Sequence, residues 1–369
     1  MAPTTELDTD RTARLKVAYS VRRVNLARPL TVVRDVAPRH GDLVLARVMA
    51  LGQHPKLELT TSRRAALYPG DEIVVAFGAR YAPAQFEAKL PPDLGPCHLV
   101  AAGGVAAMML SKHSGMQDPT RIEPVGLLAD AGGRVLNAAE GALPPVERSQ
   151  RWVPTVLVAG TAMNAGKTTS VASLVHGLTA AGLRVGASKL TGTGAGGDRH
   201  CYADAGAVEV LDFTDFGLVS TFQVPLDVLV RTVVAIHASL VARDVDVIVM
   251  EVADGLLCPD TAALIDVPEL RELVDGAVFA AGDAAGALLG VRMLRERRLR
   301  LLAVSGLLTA SPLAVREAQA ELDLPVFGPA ELSDPEVARS VLRRVSVTGG
   351  ATCVASPKIA GVSAANPAA

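Results

Sequence analysis

Aromatic residues are few: Phe, Trp and Tyr supply only 3% of the 369 residues. Burial must therefore rest on aliphatic side chains, mostly Ala, Val and Leu within a hydrophobic fraction of 50%. Stacking platforms for single-stranded nucleic acid are correspondingly scarce. An excess of either charge is also missing. A formal net charge of −2 leaves no clustered excess of Lys and Arg to attract phosphate backbones, so a small-molecule substrate is expected and nucleic acid is not. The densest basic run, Arg292, Arg295, Arg297, Arg298 and Arg300, falls at the end of a helical pattern. Cations complement the helix dipole there, and the run reads as a solvated face.

Cysteine is equally sparse. Cys97, Cys201, Cys258 and Cys353 lie far apart without a C-x-x-C pair, which argues against a disulfide framework or zinc finger and fits a reducing cytoplasm. Apolar runs are short as well: the longest, Leu99 to Leu110, cannot span a bilayer, and the polar N-terminus lacks the apolar core of a signal peptide. A cytoplasmic protein with no membrane partner is expected.

What is present falls into two rhythms, and the length itself exceeds what one hydrophobic core usually serves. Residues 1–15 read as a disordered arm and 348–369, rich in Ala, Pro, Gly and Ser, as a disordered tail. Between 16 and 146, the runs LVLARVMAL, EIVVAF and HLVAA are separated by turn signals such as Pro69-Gly70-Asp71, the pattern of a small β barrel or sandwich. Gly103 to Ser111 is long enough for one short helix. A linker follows over 142–154, marked by Pro144 and Pro145.

From Thr155 the pattern alternates strand with helix. The runs TVLVAG, LRVGASK, DVIVMEVA, GAVFAAG, RLLAVSG and LPVFG predict βαβ units around a mainly parallel sheet over 153–345. The expected fold is thus an α/β domain preceded by a smaller β-rich domain, and Gly160 to Thr169, a G-x-x-x-x-G-K-T loop after the first run, makes it a P-loop NTPase domain. Parallel sheets place ligands at the carboxyl ends of their strands, which is where chemistry should be sought.

After TVLVA comes Gly160-Thr161-Ala162-Met163-Asn164-Ala165-Gly166-Lys167-Thr168-Thr169, a full match to G-x-x-x-x-G-K-[ST] between a strand and a helix. Backbone N–H groups around Gly160, Thr161, Asn164, Ala165 and Gly166, with the helix N-terminus, make an anion cradle for ATP. Lys167 is expected on the β and γ phosphates, and the Thr168 hydroxyl on Mg²⁺. Thr169 completes the loop.

Lys189 closes the second apolar run, where a buried ammonium is costly unless it meets an anion, such as a substrate carboxylate or the transferring phosphoryl group. The glycine-rich loop after it, with Thr191 and Thr193, has the freedom to approach a ligand closely. Asp198, Asp204, Asp212 and Asp215 follow, acids able to hold metal waters, accept an amine or act as a base; Asp198, Asp204 and Asp215 are the functional candidates. Asp is also the ordinary residue of caps and turns. His200, Cys201 and Cys258 lack paired-ligand spacing and read as a loop histidine and small buried thiols. Glu251 and Asp254 close the run DVIVMEVADG, the place of a Walker-B-type carboxylate that orders the Mg²⁺ shell. Ser305, Gly306 and Thr309 suit the edge of a base pocket, without the Asn-Lys-x-Asp signature for guanine.

Gly160-Thr161 with Gly166-Lys167-Thr168, then Lys189, then Glu251 in MEVADG resembles the dethiobiotin-synthetase-like branch of P-loop proteins. That resemblance implies ATP and Mg²⁺ on Lys167 and Thr168, a substrate carboxylate or carbamate on Lys189, and support of metal and substrate by Glu251. Ala253 and Asp254 stand where dethiobiotin synthetases carry glycines, so biotin synthesis is not implied. The layout TGTGAGGD followed by DAGAVEVLDFTDFG is more loosely similar to an uncharacterised P-loop family that includes D-glutamate N-acetyltransferase. Thr161 stands where partition and septum-site ATPases carry a loop lysine, against an ATP-driven dimer switch, although a homodimer remains compatible with the sequence.

The leading expectation is a Mg-ATP-dependent enzyme that activates or phosphorylates a carboxylate-type group of a small metabolite, with Lys167, Lys189, Glu251 and Asp198 as its catalytic set and Thr191, Thr193, Asp204, Asp215 and Asp254 around the substrate. Three alternatives stand beside it: an N-acyltransferase using a coenzyme A thioester, a nucleotide-gated binding or cofactor-delivery protein and, last, a polynucleotide kinase.

Overall fold

A computed structural model describes residues 4–147 and 149–345. The expected tail over 348–369, with Cys353, lies outside the described residues.

In the N-terminal part, short strands whose inward residues are Leu, Val and Ile close a ring. Thr120–Asp130 pairs with Leu43–Ala50, Leu43–Ala50 with Glu72–Phe77, and Glu72–Phe77 runs parallel to Val105–Lys112. Val105–Lys112 pairs with Cys97–Ala101, which returns to Thr120–Asp130 and closes the barrel. Leu45, Val48, Ile73, Val75, Leu99 and Leu127 fill its core. A hairpin of Arg80–Tyr81 and Phe86–Lys89 extends from Val105–Lys112 toward the second domain.

Two expectations are corrected here. Gly103 to Ser111 is not a helix: Val105–Lys112 is a strand, because pairing on both sides outweighs a weak local preference. The arm before residue 16 is not disordered over its described part. Thr4–Glu6 pairs with Leu30–Val33, and a helix over Thr9–Arg14 brings Arg11 onto Glu72 with two hydrogen bonds of 2.8 Å.

The second domain is a six-stranded, wholly parallel sheet. Its strands are β1 (Thr155–Gly160), β2 (Val185–Lys189), β3 (Glu209–Asp212), β4 (Val247–Glu251), β5 (Gly276–Ala280) and β6 (Leu301–Ser305), in the order β3-β2-β4-β1-β5-β6. Alternation along β1 explains the two covered faces. Val156 and Val158 pack with Val171, Leu174 and Leu178 of helix α1 (Lys167–Ala180), and with Tyr202 of helix α2 (Gly197–Asp204). Leu157 and Ala159 face the other way, toward Leu229, Val233 and Ile236 of helix α3 (Leu226–Val241).

Strand β3 was not among the expected runs. Its apolar content is only Val210 and Leu211, too short a signal to stand out, yet it forms the edge beside β2. LPVFG, in contrast, contributes a single bridge, Val326 to Val304, rather than a strand. No helix among the described residues is long and apolar enough to cross a membrane.

Candidate functional site

Parallel register brings the strand ends into line. Lys189 of β2 pairs with Glu251 of β4 on one side and Asp212 of β3 on the other, and Glu251 pairs with Val158 of β1, two residues before the loop begins. Residues far apart in the chain therefore meet at one edge.

The loop between β1 and α1 has the backbone of a phosphate cradle. Gly166 sits at the helix start with φ +95°, where a Cβ would lie 3.0 Å from the backbone of Gly306 and Leu307. Only glycine fits both the left-handed conformation and that gap. A Cβ on Gly160 would lie 2.8 Å from Lys167 Cγ and from the Ala280 carbonyl oxygen. Thr161 N–H donates to the Ala280 carbonyl at 3.0 Å, and Leu307 N–H to the Ala165 carbonyl at 2.9 Å, which fixes the loop against β5 and the turn after β6. Asn164, at φ +66°, and Thr169 are exposed.

Lys167 is buried, with 6% of its surface exposed, and its Nζ donates to the Ala162 carbonyl at 2.8 Å. It makes no ion pair among the described residues. Burial pushes its pKa below the usual lysine value, against the opposing pull of Glu251 and Asp254. Thr168 donates its hydroxyl to Glu251 Oε2 at 3.1 Å. The buried Tyr202 donates its own hydroxyl to the same oxygen. These are hard oxygen donors beside a phosphate cradle, a set that fits Mg²⁺ held through one hydroxyl, one carboxylate and waters.

Lys189 donates to Asp198 Oδ2, and its Nζ lies 3.8 Å from Glu251 Oε1. Burial works to lower its pKa, but Glu251 and Asp198 outweigh it and hold the ammonium charged. The anion that this half-buried lysine requires is thus supplied by the chain itself. Asp254 lies on the same side, partly buried and in no ion pair among the described residues. Burial raises its pKa, offset by the charges of Lys167, Lys189 and Arg80.

A narrow cleft adjoins these residues. It is lined by Thr191, Thr193, Ser220, Thr221 and Asp254 and, from the barrel, by Tyr81, whose ring centroid is 5.3 Å from that of Phe222. Thr191 donates to the Ala253 carbonyl, and Gly192 N–H donates to Thr221 Oγ1 at 2.9 Å, so the hydroxyl wall is held by the strand ends.

Other acids lie elsewhere. Asp204 is exposed at the last position of α2. Asp212 caps the turn Phe213–Phe216 by accepting Thr214 N–H at 2.8 Å, and burial raises its pKa. Asp215, almost fully buried, is engaged by Arg22 at 2.7 Å, by Arg199 and, more distantly, by Arg23 at 3.7 Å. Arg22 and Arg23 belong to the barrel, so Asp215 joins the two domains and does not line the cleft. His200 is bonded to Ser62 Oγ at 2.6 Å, and no three His, Cys, Asp or Glu side chains gather as a metal group among the described residues.

One glycine of the loop after Lys189, Gly196, is set by the barrel, and the barrel's Gly103 is set by the loop. A Cβ on Gly103 would stand 1.9 Å from the Gly194 carbonyl oxygen, and one on Gly196 would stand 2.6 Å from Glu58 Oε1. The Gly103 and Gly194 backbones touch, which leaves no room for a side chain on Gly103. As a lone tyrosine Tyr202 carries no motif, but its spacing of four from Asp198 places both on one face of α2, toward Glu251 and Lys189.

The strand order and the loop define a P-loop α/β protein. No family model matches the sequence, and no curated protein matches it. Among solved structures, the signal recognition particle receptor FtsY from Elizabethkingia anophelis is similar at 18% identity and a TM-score of 0.37, over 53% of this chain and 67% of that one. Cell division protein FtsY from Thermotoga maritima is similar at 18% identity and a TM-score of 0.36, over 53% and 70%. The signal recognition particle 54 kDa protein from Aeropyrum pernix K1, in complex with GDP, is similar at 15% and 0.36, over 53% of this chain and 50% of that one. These likenesses are low, and the fold assignment rests on this chain's own strand order and loop. The likeness to dethiobiotin synthetases stays with the motif residues alone.

Proposed function

We propose that the protein is a Mg-ATP-dependent P-loop enzyme that activates or phosphorylates a carboxylate-type group of a small metabolite. The observation that carries this is the meeting of Thr168, Glu251, Lys189 and Asp198 beside the phosphate cradle, at the mouth of a hydroxyl-lined cleft. Bound Mg-ATP would supply a transferable phosphoryl group with its charge neutralised by the metal. Within the chain, Lys167 and the loop amides hold phosphate oxygens, while Thr168 and Glu251 orient the metal's water shell. Lys189 positions the acceptor carboxylate, which must compete with Asp198 for the ammonium. Thr191, Thr193 and Asp254 face the rest of the acceptor.

Metabolite-dependent release of ADP or phosphate tests the reading. Protein that binds ATP yet shows no stimulation by any carboxylic acid in a broad panel would remove the enzyme assignment. Stabilisation by acetyl-CoA but not by ATP in a thermal-shift series would transfer the site to acyl transfer.

A further inference from the structure

The loop from Thr191 to Gly197 begins two residues after Lys189 and ends one residue before Asp198, so whatever fixes it fixes both partners of that ion pair. Its first half is tied to the P-loop domain through Thr221 and through Gly194 N–H, which donates to the Val219 carbonyl at 2.9 Å. Its second half is tied to the barrel. Gly196 N–H donates at 3.0 Å to Oε1 of Glu58, a barrel carboxylate of which only 3% is exposed. Glu58 is itself anchored, since its N–H donates to the Ala102 carbonyl at 2.8 Å, in the turn whose Gly103 presses on Gly194. Helix α2 starts immediately after Gly196 and carries Asp198, Arg199 and Tyr202. Asp198 engages Lys189, Tyr202 engages Glu251, and Arg199 reaches Asp215, which Arg22 of the barrel also holds.

We infer that Glu58 is a positioning residue of the nucleotide site. By accepting the Gly196 N–H it sets the start of α2, and through α2 it places Asp198 against Lys189 and Tyr202 against Glu251. The barrel is then part of the metal and acceptor machinery rather than an appended module. The inference rests on the proposed Mg-ATP site for its binding readout, but its structural half does not require a ligand.

Glu58→Leu removes the acceptor, Glu58→Gln keeps an oxygen that can take the same N–H, and Gly103→Ala pushes the loop from the other side. In the ligand-free full-length protein, hydrogen exchange over 197–204 should accelerate in Glu58→Leu and Gly103→Ala, stay near wild type in Glu58→Gln, and be unchanged over Pro335–Arg343 in all three. With ATP present, Glu58→Leu should raise the Mg²⁺ concentration for half-maximal binding by about tenfold, the lower end of what loss of an outer-shell partner costs a metal site. Glu58→Gln should restore it. Wild-type exchange in α2 with Glu58→Leu, or an unshifted Mg²⁺ midpoint in a folded Glu58→Leu protein, overturns the inference. Equal loss in Glu58→Gln overturns the hydrogen-bond route. If wild-type protein binds no Mg-ATP, the functional proposal fails, and the exchange comparison still decides the role of Glu58.

Discussion

Replacing Asp215 with Asn separates a structural acid from a binding one. Its side chain is 2% exposed, and its guanidinium partners Arg22 and Arg199 are 13% and 27% exposed, so the cluster is largely removed from water. Asn keeps the size and an acceptor for the Asp212 N–H, now 3.1 Å from Asp215 Oδ2, but takes from the arginines the carboxylate they contact and leaves Asp212 as the buried acid beside them. Removing one partner of a buried ion pair costs about 3–5 kcal/mol. The partial exposure of Arg199 and Arg23 favours the lower figure, about 3 kcal/mol. With a urea m-value of about 3 kcal/mol/M, the unfolding midpoint should fall by about 1 M. Circular dichroism during urea titration reads it directly, and Arg22→Met combined with Asp215→Asn should recover part of the loss through the shared interaction. A midpoint unchanged in Asp215→Asn, together with weakened acceptor binding, would refute the reasoning and return Asp215 to the substrate role read from the sequence.

Two further outcomes follow from the geometry. Gly166→Ala should lower ATP affinity at least about tenfold in calorimetry while leaving the circular dichroism spectrum intact, since the left-handed conformation alone costs about 1–2 kcal/mol and the loop must shift away from Gly306. Hydrogen bonding from Arg11, reinforced by Arg47 and opposed by burial, depresses the Glu72 pKa below its ordinary 4.5. Its contribution to stability is therefore present above pH 4.5 and lost as pH falls through the depressed folded value, so the thermal-midpoint gap between wild type and Glu72→Gln should shrink from pH 7 to pH 3. A gap independent of pH would count against the docking of the N-terminal arm through Arg11.

The phosphate loop was legible because it is local: ten consecutive residues between a strand and a helix specify both backbone and ligand chemistry. Lys189 and Glu251 were legible for a different reason. Both end apolar runs, and parallel strands with in-register ends bring such residues together without further information. Strand β3 was hidden because two apolar residues give no periodicity. Asp215 and Gly196 have contacts that the sequence does not show, for a shared physical reason. An acid or a glycine beside a phosphate loop suits a ligand, but here each also meets the barrel, through Arg22 and Glu58, and such contacts between distant segments leave no local mark. Tyr202 had a faint signal in its helical spacing from Asp198, which acquires meaning only once Glu251 is known to face α2.

Titration calorimetry of ATP with and without Mg²⁺, on wild type, Lys167→Ala and Glu251→Gln, probes the site at its centre. Single-site binding to wild type, lost in Lys167→Ala and made nearly indifferent to Mg²⁺ in Glu251→Gln, is the predicted result. Absence of heat with wild type, or full affinity retained by Lys167→Ala, would contradict it.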